Sequence, residues 1–498
     1  MRIRNWLRRH AFEMALLAVV VVVGSLLRLV DVGPSMHFGT DEGRDAFVVN
    51  QLVTGESIPL LGPAAPNNRP DFHLGAFFYY LLAPGYLVSN SSPTAGAVTI
   101  AIFSSLSIIF IYAIGRALWD WRAGLAAAAL YSTSFLMVYY GRWAWNPNVV
   151  PFFMLVIMWC AIQIIQKKMQ PVAWHLYVLG IAVGAIIQLH GTALLVVPVM
   201  LGILGVYYRP RFRWWQYFLG LLLVAAMNLP TIIYDITNRL ANARGFIRVM
   251  TQSDSPHTLS IGQRLDRLYH LVENFFQDCL THGVPSRWWQ SLLVILVLGI
   301  GVHTVRAWKS PQQKERLIIM TLWFLVPLLI FAQYQEAIPT HYFAILFPVP
   351  FLFVGWLMYV VGKHRLAQLV CGSIVIFLCF VQAWFSVQLV HDLAPTGSRA
   401  SSYPLRLDEM QAAVQLITDD ANGVSFTVQS YPLGSYDRSF SYLFMRAGIA
   451  PSVVSAGLDY RIVVSPQYPI DQWSAFGDVQ SAWQSGPLRV LRVAPPTD

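Results

Sequence analysis

The run MALLAVVVVVGSLLRLV, Met14 to Val30, is followed closely by FGTDEGRDAF, Phe38 to Phe47. The first is almost pure hydrocarbon and long enough to cross a bilayer as a helix. The second gathers three carboxylates, Asp41, Glu42 and Asp45, around one guanidinium, Arg44. Charge is scarce elsewhere. Of 498 residues, 12% are charged and 56% hydrophobic, about half the charged fraction of a soluble domain. With a mean hydropathy of +0.52, the chain reads as a polytopic membrane protein. A dense acidic patch beside a membrane helix is a candidate site in such a chain.

Ten further runs come close to the roughly 20 residues that a spanning helix needs. They are Thr94 to Trp119, Ala123 to Tyr140, Val149 to Gln166, Trp174 to His190, Ala193 to Tyr208, Phe218 to Tyr234, Ser291 to Trp308, Leu317 to Gln333, Tyr342 to Val361 and Leu366 to Val390. Eleven spans force the loops to alternate sides. The N-terminus holds Arg2, Arg4, Arg8 and Arg9, so it is expected in the cytoplasm. Alternation then puts all five lysines, Lys167, Lys168, Lys309, Lys314 and Lys363, on that same side. The net charge of +9 is therefore read as a topogenic signal, and nucleic acid is not an expected partner. The first span is read as a signal anchor, since no clear small-x-small cleavage site follows it. Cys160, Cys371 and Cys379 fall inside spans and Cys279 in an outer loop, which gives neither a disulfide framework nor a metal spacing.

On this scheme residues 1–390 form the membrane domain, with outer loops at 31–93, 141–148 and 235–290. The composition of residues 391–404 is that of a linker. Residues 405–498 read as a small α/β domain on the outer side: LDEMQAAVQLITDD and SFSYLFMRAG are helical in pattern, and GVSFTVQS, YRIVVS and LRVLRV are strand-like. HLGAFFYYLLAP, His73 to Pro84, is apolar but too short to span, and is expected to lie in the interface. Away from their ends the spans carry no Asp, Glu, Lys or Arg, whereas ion-coupled transporters keep such groups near the midplane.

The polar chemistry collects instead at the outer mouth. Asp41 and Glu42 could act as general base, hold a divalent cation, or simply be solvated. Arg142 and the corner Trp145 to Asn148 could offer a guanidinium fork for phosphate, with Asn146 and Asn148 on a polar ring; an Asn-Pro pair also simply starts a turn. His190, at a helix end, and His341 and Tyr342, in the turn EAIPTHYFAILFP, open on the same side, and the bland reading is interfacial placement. Arg244 and Arg248 could add positive charge or snorkel on an amphipathic helix.

The stretch DEGRDAFVVNQLVTGESIPLLGP resembles the first outer loop of the GT-C glycosyltransferases, family 39 type: the protein O-mannosyltransferases and the bacterial transferases that put aminoarabinose on lipid A. The features that carry the resemblance are Asp41, Glu42, Arg44, Gly55, Glu56 and the Pro59 to Pro84 region; RWAWNPN and THYFAILFP are similar to the family's later outer turns. The resemblance covers roughly residues 1–390, and the tail is similar to the variable soluble domain of many such enzymes. It implies an all-α polytopic fold of about eleven helices with a small C-terminal α/β domain. It also implies an inverting transferase that moves a sugar from a polyprenyl-phosphate donor to a lipid, glycan or protein acceptor on the outer face of the membrane; a bacterial inner membrane is the expected location. Asp41 maps to the catalytic acid or base, with Glu42 beside it. Mg2+ or Mn2+ could bind there.

Two departures are visible. Many family members carry a second acidic residue near the second outer turn, where this chain has Asn146 and Asn148. The aminoarabinose enzymes place a lysine before the juxtamembrane helix; here Arg69 or His73 would have to serve, which argues against lipid A as the acceptor. In the mechanism so implied, Asp41 takes a proton from the attacking acceptor while Arg142 or an arginine of the third outer segment, such as Arg248, holds the leaving phosphate. Two alternatives belong to other classes: a lipid or polysaccharide exporter, and a scaffold whose tail binds a partner.

Overall fold

The computed structural model describes residues 10–64, 72–251, 260–282, 310–334, 338–362, 364–392, 405–433, 436–452, 457–464 and 476–494. The first apolar run becomes helix α1 (Ala11–Leu29), followed by a single turn, α2 (Val32–Ser35), and by α3 (Thr40–Val53), which carries the acidic cluster. Thr54 caps α3, and Gly55, at φ 79°, turns the chain away through the left-handed conformation that glycine tolerates. Strands β1 (Leu61–Ala64) and β2 (His73–Gly75) pair antiparallel. They lead into α4 (Phe77–Val88), which covers most of the segment expected to lie in the interface.

The helical body continues through α5 (Thr94–Leu118), α6 (Trp121–Thr133), α7 (Phe135–Tyr140), a 3-10 turn over Asn146–Val149, α8 (Val150–Gln166), α9 (Ala173–Leu189) and α10 (Gly191–Tyr208). Then come α11 (Trp214–Met227), α12 (Leu229–Thr237), α13 (Ala241–Thr251), α14 (Ile261–Leu280) and α15 (Pro311–Phe331). A second 3-10 turn, Thr340–Leu346, precedes α16 (Val349–Val361) and α17 (Arg365–Asp392). Helix α8 is enclosed by the others, while α1 and α17 turn Val19, Leu26, Phe377 and Phe380 outward, as lipid-facing helices do. The helices approach through small residues: a Cβ on Gly115 would lie 2.7 Å from Gly124 Cα, and one on Gly355 2.5 Å from Ala123 O.

The chain is a multi-pass membrane protein, but its helices are more broken than the eleven expected spans. Among the described residues five helices are long and apolar enough to cross a membrane, or seven if each of two bent pairs is one span. The pair α11–α12 bends by 68°, where Asn228 and Pro230 interrupt the ladder. The turn at Thr340–Leu346 and α16 bend by 44°. The expected span Ala123–Tyr140 breaks at Ser134 into α6 and α7. That break leaves polar backbone groups inside the bundle, and distant side chains satisfy them. Arg28, fully buried, donates to Ser132 O at 2.7 Å and Tyr131 O at 3.2 Å, Gln382 accepts from Phe135 N at 2.9 Å, and Ser386 donates to Thr133 O at 3.1 Å. The expected span Ser291–Trp308 and most of the expected linker lie outside the described residues. All four cysteines are free, and Cys279, expected in a loop, is buried in α14.

The C-terminal region holds α18 (Leu407–Ala421), β3 (Phe426–Tyr431), α19 (Asp437–Arg446), β4 (Leu458–Val464), β5 (Val479–Ser485) and β6 (Leu488–Val493). The sheet order is β3-β4-β6-β5, with β3 parallel to β4 and the other pairs antiparallel. The core of this sheet and of α18 comes from Met410, Ile417, Tyr460, Ile462, Leu488 and Val490.

Candidate active site

The acidic cluster sits on the first turn of α3. Gly39 is the N-cap, and Glu42, three positions on, turns back to accept the Gly39 amide at 2.9 Å, which closes the helix start. Glu42 is buried; its Oε2 also lies 3.5 Å from His37 Nδ1, while its Oε1 has no hydrogen-bond partner. Asp41, on the same turn, faces outward with its side chain 41% exposed. Its two oxygens are held separately: Arg44 Nη1 donates to Oδ1 at 2.7 Å and Trp145 Nε1 to Oδ2 at 3.1 Å. Asp45, one turn after Asp41 on the same helix face, is 1% exposed and takes Arg44 Nε on its Oδ1 at 2.8 Å. Burial pushes the Asp45 carboxyl up to about 7, against the opposing pull of the Arg44 guanidinium. One arginine thus ties a half-buried carboxylate to a buried one.

The corner between α7 and α8 supplies the opposite wall. Trp143 and Trp145 stack at 5.0 Å, with His37 edge-on to Trp143 at 4.9 Å. Beyond Trp145 come His341 at 4.4 Å, then His190 at 5.6 Å from His341 and Tyr342 at 5.0 Å from His190. His190 caps α10, its Nδ1 lying 2.8 Å from Thr192 Oγ1 and 3.3 Å from the Thr192 amide. The structure therefore brings Asp41, Glu42, Arg44, His190, His341 and Tyr342 together around an aromatic surface.

Three other candidates sit in the corner but make their hydrogen bonds within the fold. Arg142, expected as a phosphate fork, is 3% exposed and donates to Leu27 O and Val30 O, both at 2.8 Å, and to Ser35 Oγ at 2.7 Å. It caps the orphan carbonyls at the end of α1 with both Nη atoms, while its Nε has no hydrogen-bond partner among the described residues. Burial pulls its guanidinium down to about 10. Asn146 Nδ2 donates to Leu189 O at 2.5 Å and Asn148 Nδ2 to Trp143 O at 3.1 Å, each inside the fold. His73 pairs its Nδ1 with Gly62 O at 3.1 Å, and its backbone exchanges two hydrogen bonds with Asn242, joining β2 to α13. Arg248 is exposed on α13, and Arg69 lies outside the described residues.

Asp41 and Glu42 bond to different partners, and no group of three His, Cys, Asp or Glu side chains among the described residues could hold a metal ion. Sequence reasoning counted Asp45 in the acidic patch without giving it a role, and it missed His37. The role of Asp45 could have been found from its four-residue spacing to Asp41 on one helix; His37 carries no local signal.

The chain has the GT-C fold of polytopic membrane glycosyltransferases. Over 98% of its length it superposes on all of the crystal structure of ArnT from Cupriavidus metallidurans bound to undecaprenyl phosphate, with a TM-score of 0.63 and 11% identity. It also superposes, over 90% of its length and 65% of the other chain, on the apo oligosaccharyltransferase of Archaeoglobus fulgidus, with a TM-score of 0.53 and 11% identity. In sequence, residues 74–234 match the family described as dolichyl-phosphate-mannose-protein mannosyltransferase. That match begins after Asp41. The chain is 24% identical over 287 residues to the undecaprenyl phosphate-alpha-4-amino-4-deoxy-L-arabinose arabinosyl transferase of Pseudomonas aeruginosa (strain UCBPP-PA14), covering 55% of this chain and 48% of that protein. The chain spans about half the length of the curated relatives it matches.

Proposed function

We propose that this chain is an inverting glycosyltransferase that moves a sugar from a polyprenyl-phosphate donor to an acceptor at the outer face of the membrane, with Asp41 as general base. The observation that carries the reading is the Asp41 carboxylate itself. It is half-buried, lies one short helical turn beyond the first membrane helix, and is held between Arg44 and Trp145 with His341 against the same indole. The donor's lipid stays in the bilayer while its phosphosugar needs a polar site at membrane level, which is where this carboxylate stands. The ArnT structure similar in fold carries undecaprenyl phosphate, which supports a donor of that class.

In the reaction, each Asp41 oxygen keeps a lone pair beyond its one hydrogen bond, so the carboxylate can take the acceptor's proton as the acceptor oxygen or nitrogen attacks the anomeric carbon. The bond from that carbon to the phosphate oxygen breaks, and the polyprenyl phosphate leaves with the electron pair. Trp145 and Trp143 offer a stacking face for the sugar ring. His190, His341 and Tyr342, packed on one another beside Trp145, are the donors proposed for the departing phosphate. Arg44 holds Asp41 and Asp45 in place rather than binding phosphate, because Asp41 and Asp45 already occupy its nitrogens. The lysine and arginine distribution supports an N-terminus in the cytoplasm, and the membrane in this reading is a bacterial inner membrane. On that topology residues 1–390 form the membrane domain and residues 405–498 an outer domain.

The test is donor consumption. Purified protein in nanodiscs is given undecaprenyl-phosphate-linked aminoarabinose or mannose, and free undecaprenyl phosphate is measured. Release from one donor supports the transferase. Intact donors that nevertheless bind point to a missing acceptor, and absence of binding contradicts the reading.

A further inference from the structure

We infer that the C-terminal α/β unit clamps the turn that carries Asp41, with Ser439 as a positioning residue for it; the inference rests on the reading of Asp41 as catalytic base. Ser439 is fully buried and donates its hydroxyl to Gly39 O at 2.5 Å, across 400 positions of the chain. Gly39 is the N-cap of α3, and the same carbonyl receives the first helical amide, Gly43 N, at 2.9 Å. Glu42 holds the Gly39 amide from inside the turn. Both backbone groups of the cap residue are thus fixed, one by the helix itself and one by the tail.

The contact is close along the whole face. A Cβ on Gly43 would meet Ser439 N at 2.6 Å and Ser439 Cα at 2.7 Å, so α19 lies directly on the backbone of α3. Tyr442 and Arg446 continue the stripe at helical spacing, and both donate to Ser91 O, at 2.7 and 2.6 Å. The Tyr442 ring meets Phe47 edge-on at 5.1 Å. On the other flank Leu407 N donates to Met36 O at 3.0 Å, and Arg406 pairs with His37 as an antiparallel bridge. The tail therefore grips residues 36–43 from both ends of the acidic turn.

A helix's first turn lacks intrahelical partners for its amides and is the part most easily displaced. Asp41 stands on that turn, whereas Trp145 and His341 stand on other elements. A shift of the turn by about 1 Å would misplace the base against the acceptor and can cost about a hundredfold in rate. Placement, rather than acceptor choice alone, is what the tail supplies.

The experiment compares full-length wild type, Ser439→Ala, Ser485→Ala and Asp41→Asn, with whichever of undecaprenyl-phosphate-linked aminoarabinose or mannose the wild type consumes. Amide exchange over residues 40–46 is followed in the same samples. Ser485 is a control inside the tail, where its hydroxyl bonds Glu409 O at 3.1 Å. Ser439→Ala is expected to lower kcat roughly tenfold or more, leave donor and acceptor KM within about twofold, and speed exchange in the acidic turn, while Ser485→Ala changes none of these. Unchanged exchange in Ser439→Ala overturns the clamp without reference to activity. A rise in acceptor KM alone overturns it in favour of acceptor docking. If Asp41→Asn turns over normally, the catalytic reading itself fails; if Asp41→Asn is inactive and Ser439→Ala is normal, only the clamp fails.

Discussion

Trp145 donates its indole N–H to Oδ2 of Asp41 at 3.1 Å, joining the corner before α8 to the first turn of α3 across 104 positions. With Arg44 on the other oxygen, this bond fixes the plane of the carboxylate and so the direction from which it can take a proton.

Replacing Trp145 separates the indole's two roles. Trp145→Phe keeps an aromatic face and removes the N–H; kcat should fall by about tenfold, the value of roughly one hydrogen bond, with donor KM little changed. Trp145→Ala should also raise donor KM, because the stacking face against Trp143 and His341 is lost. Steady-state kinetics of the two variants check this. Equal effects of the two substitutions on KM would refute a stacking role.

Arg142 is expected to behave as a structural residue. Arg142→Ala leaves the carbonyls of Leu27 and Val30 and the Ser35 hydroxyl without that donor inside the fold, and should destabilise by about 3 kcal/mol. Undecaprenyl phosphate affinity of the folded fraction should stay unchanged. Thermal unfolding in detergent and lipid-phosphate binding on the same preparation measure both. A large loss of affinity with normal stability would restore the phosphate fork.

Two buried carboxyls give stability a pH dependence of defined sign. Burial raises Asp45 and Glu409 each to about 7 in the folded protein. The folded state then binds more protons than the unfolded state between the ordinary carboxylate range and pH 7. The associated stability is present at low pH and is lost as pH rises through about 7. Asp45→Asn should remove part of this slope, on the order of 1 kcal/mol per pH unit. Unfolding midpoints from about pH 5 to about pH 8 test it, and an unchanged slope in the variant would contradict the assignment to Asp45.

Local density made the core of the site legible in sequence. Asp41, Glu42 and Arg44 lie within one helical turn, and a chain so poor in charge makes such a turn stand out. The tail's β3, β4 and β6 were legible from strand-like apolar patterns, whereas β5, VQSAWQS, offers little apolar alternation because it is an edge strand with much of its surface open. Partners remote in the chain were not legible. Arg142 and Leu27 O are 115 positions apart, Ser439 and Gly39 O 400, and no local rule distinguishes an arginine that caps a distant helix from one that binds phosphate. Nor did a Gly or Pro announce the break at Ser134, which persists because Arg28, Gln382 and Ser386 supply its hydrogen bonds.

The central claim is that the Asp41 carboxylate performs the proton transfer. Its most direct test is a single-turnover assay of wild type and Asp41→Asn with the undecaprenyl-phosphate sugar that the wild type consumes, beside donor binding and unfolding of both proteins. The amide keeps the side chain's shape but cannot take the proton. The account predicts a rate lower by about a hundredfold to ten-thousandfold, with donor affinity and folding preserved. An Asp41→Asn protein that transfers sugar at the wild-type rate would contradict it.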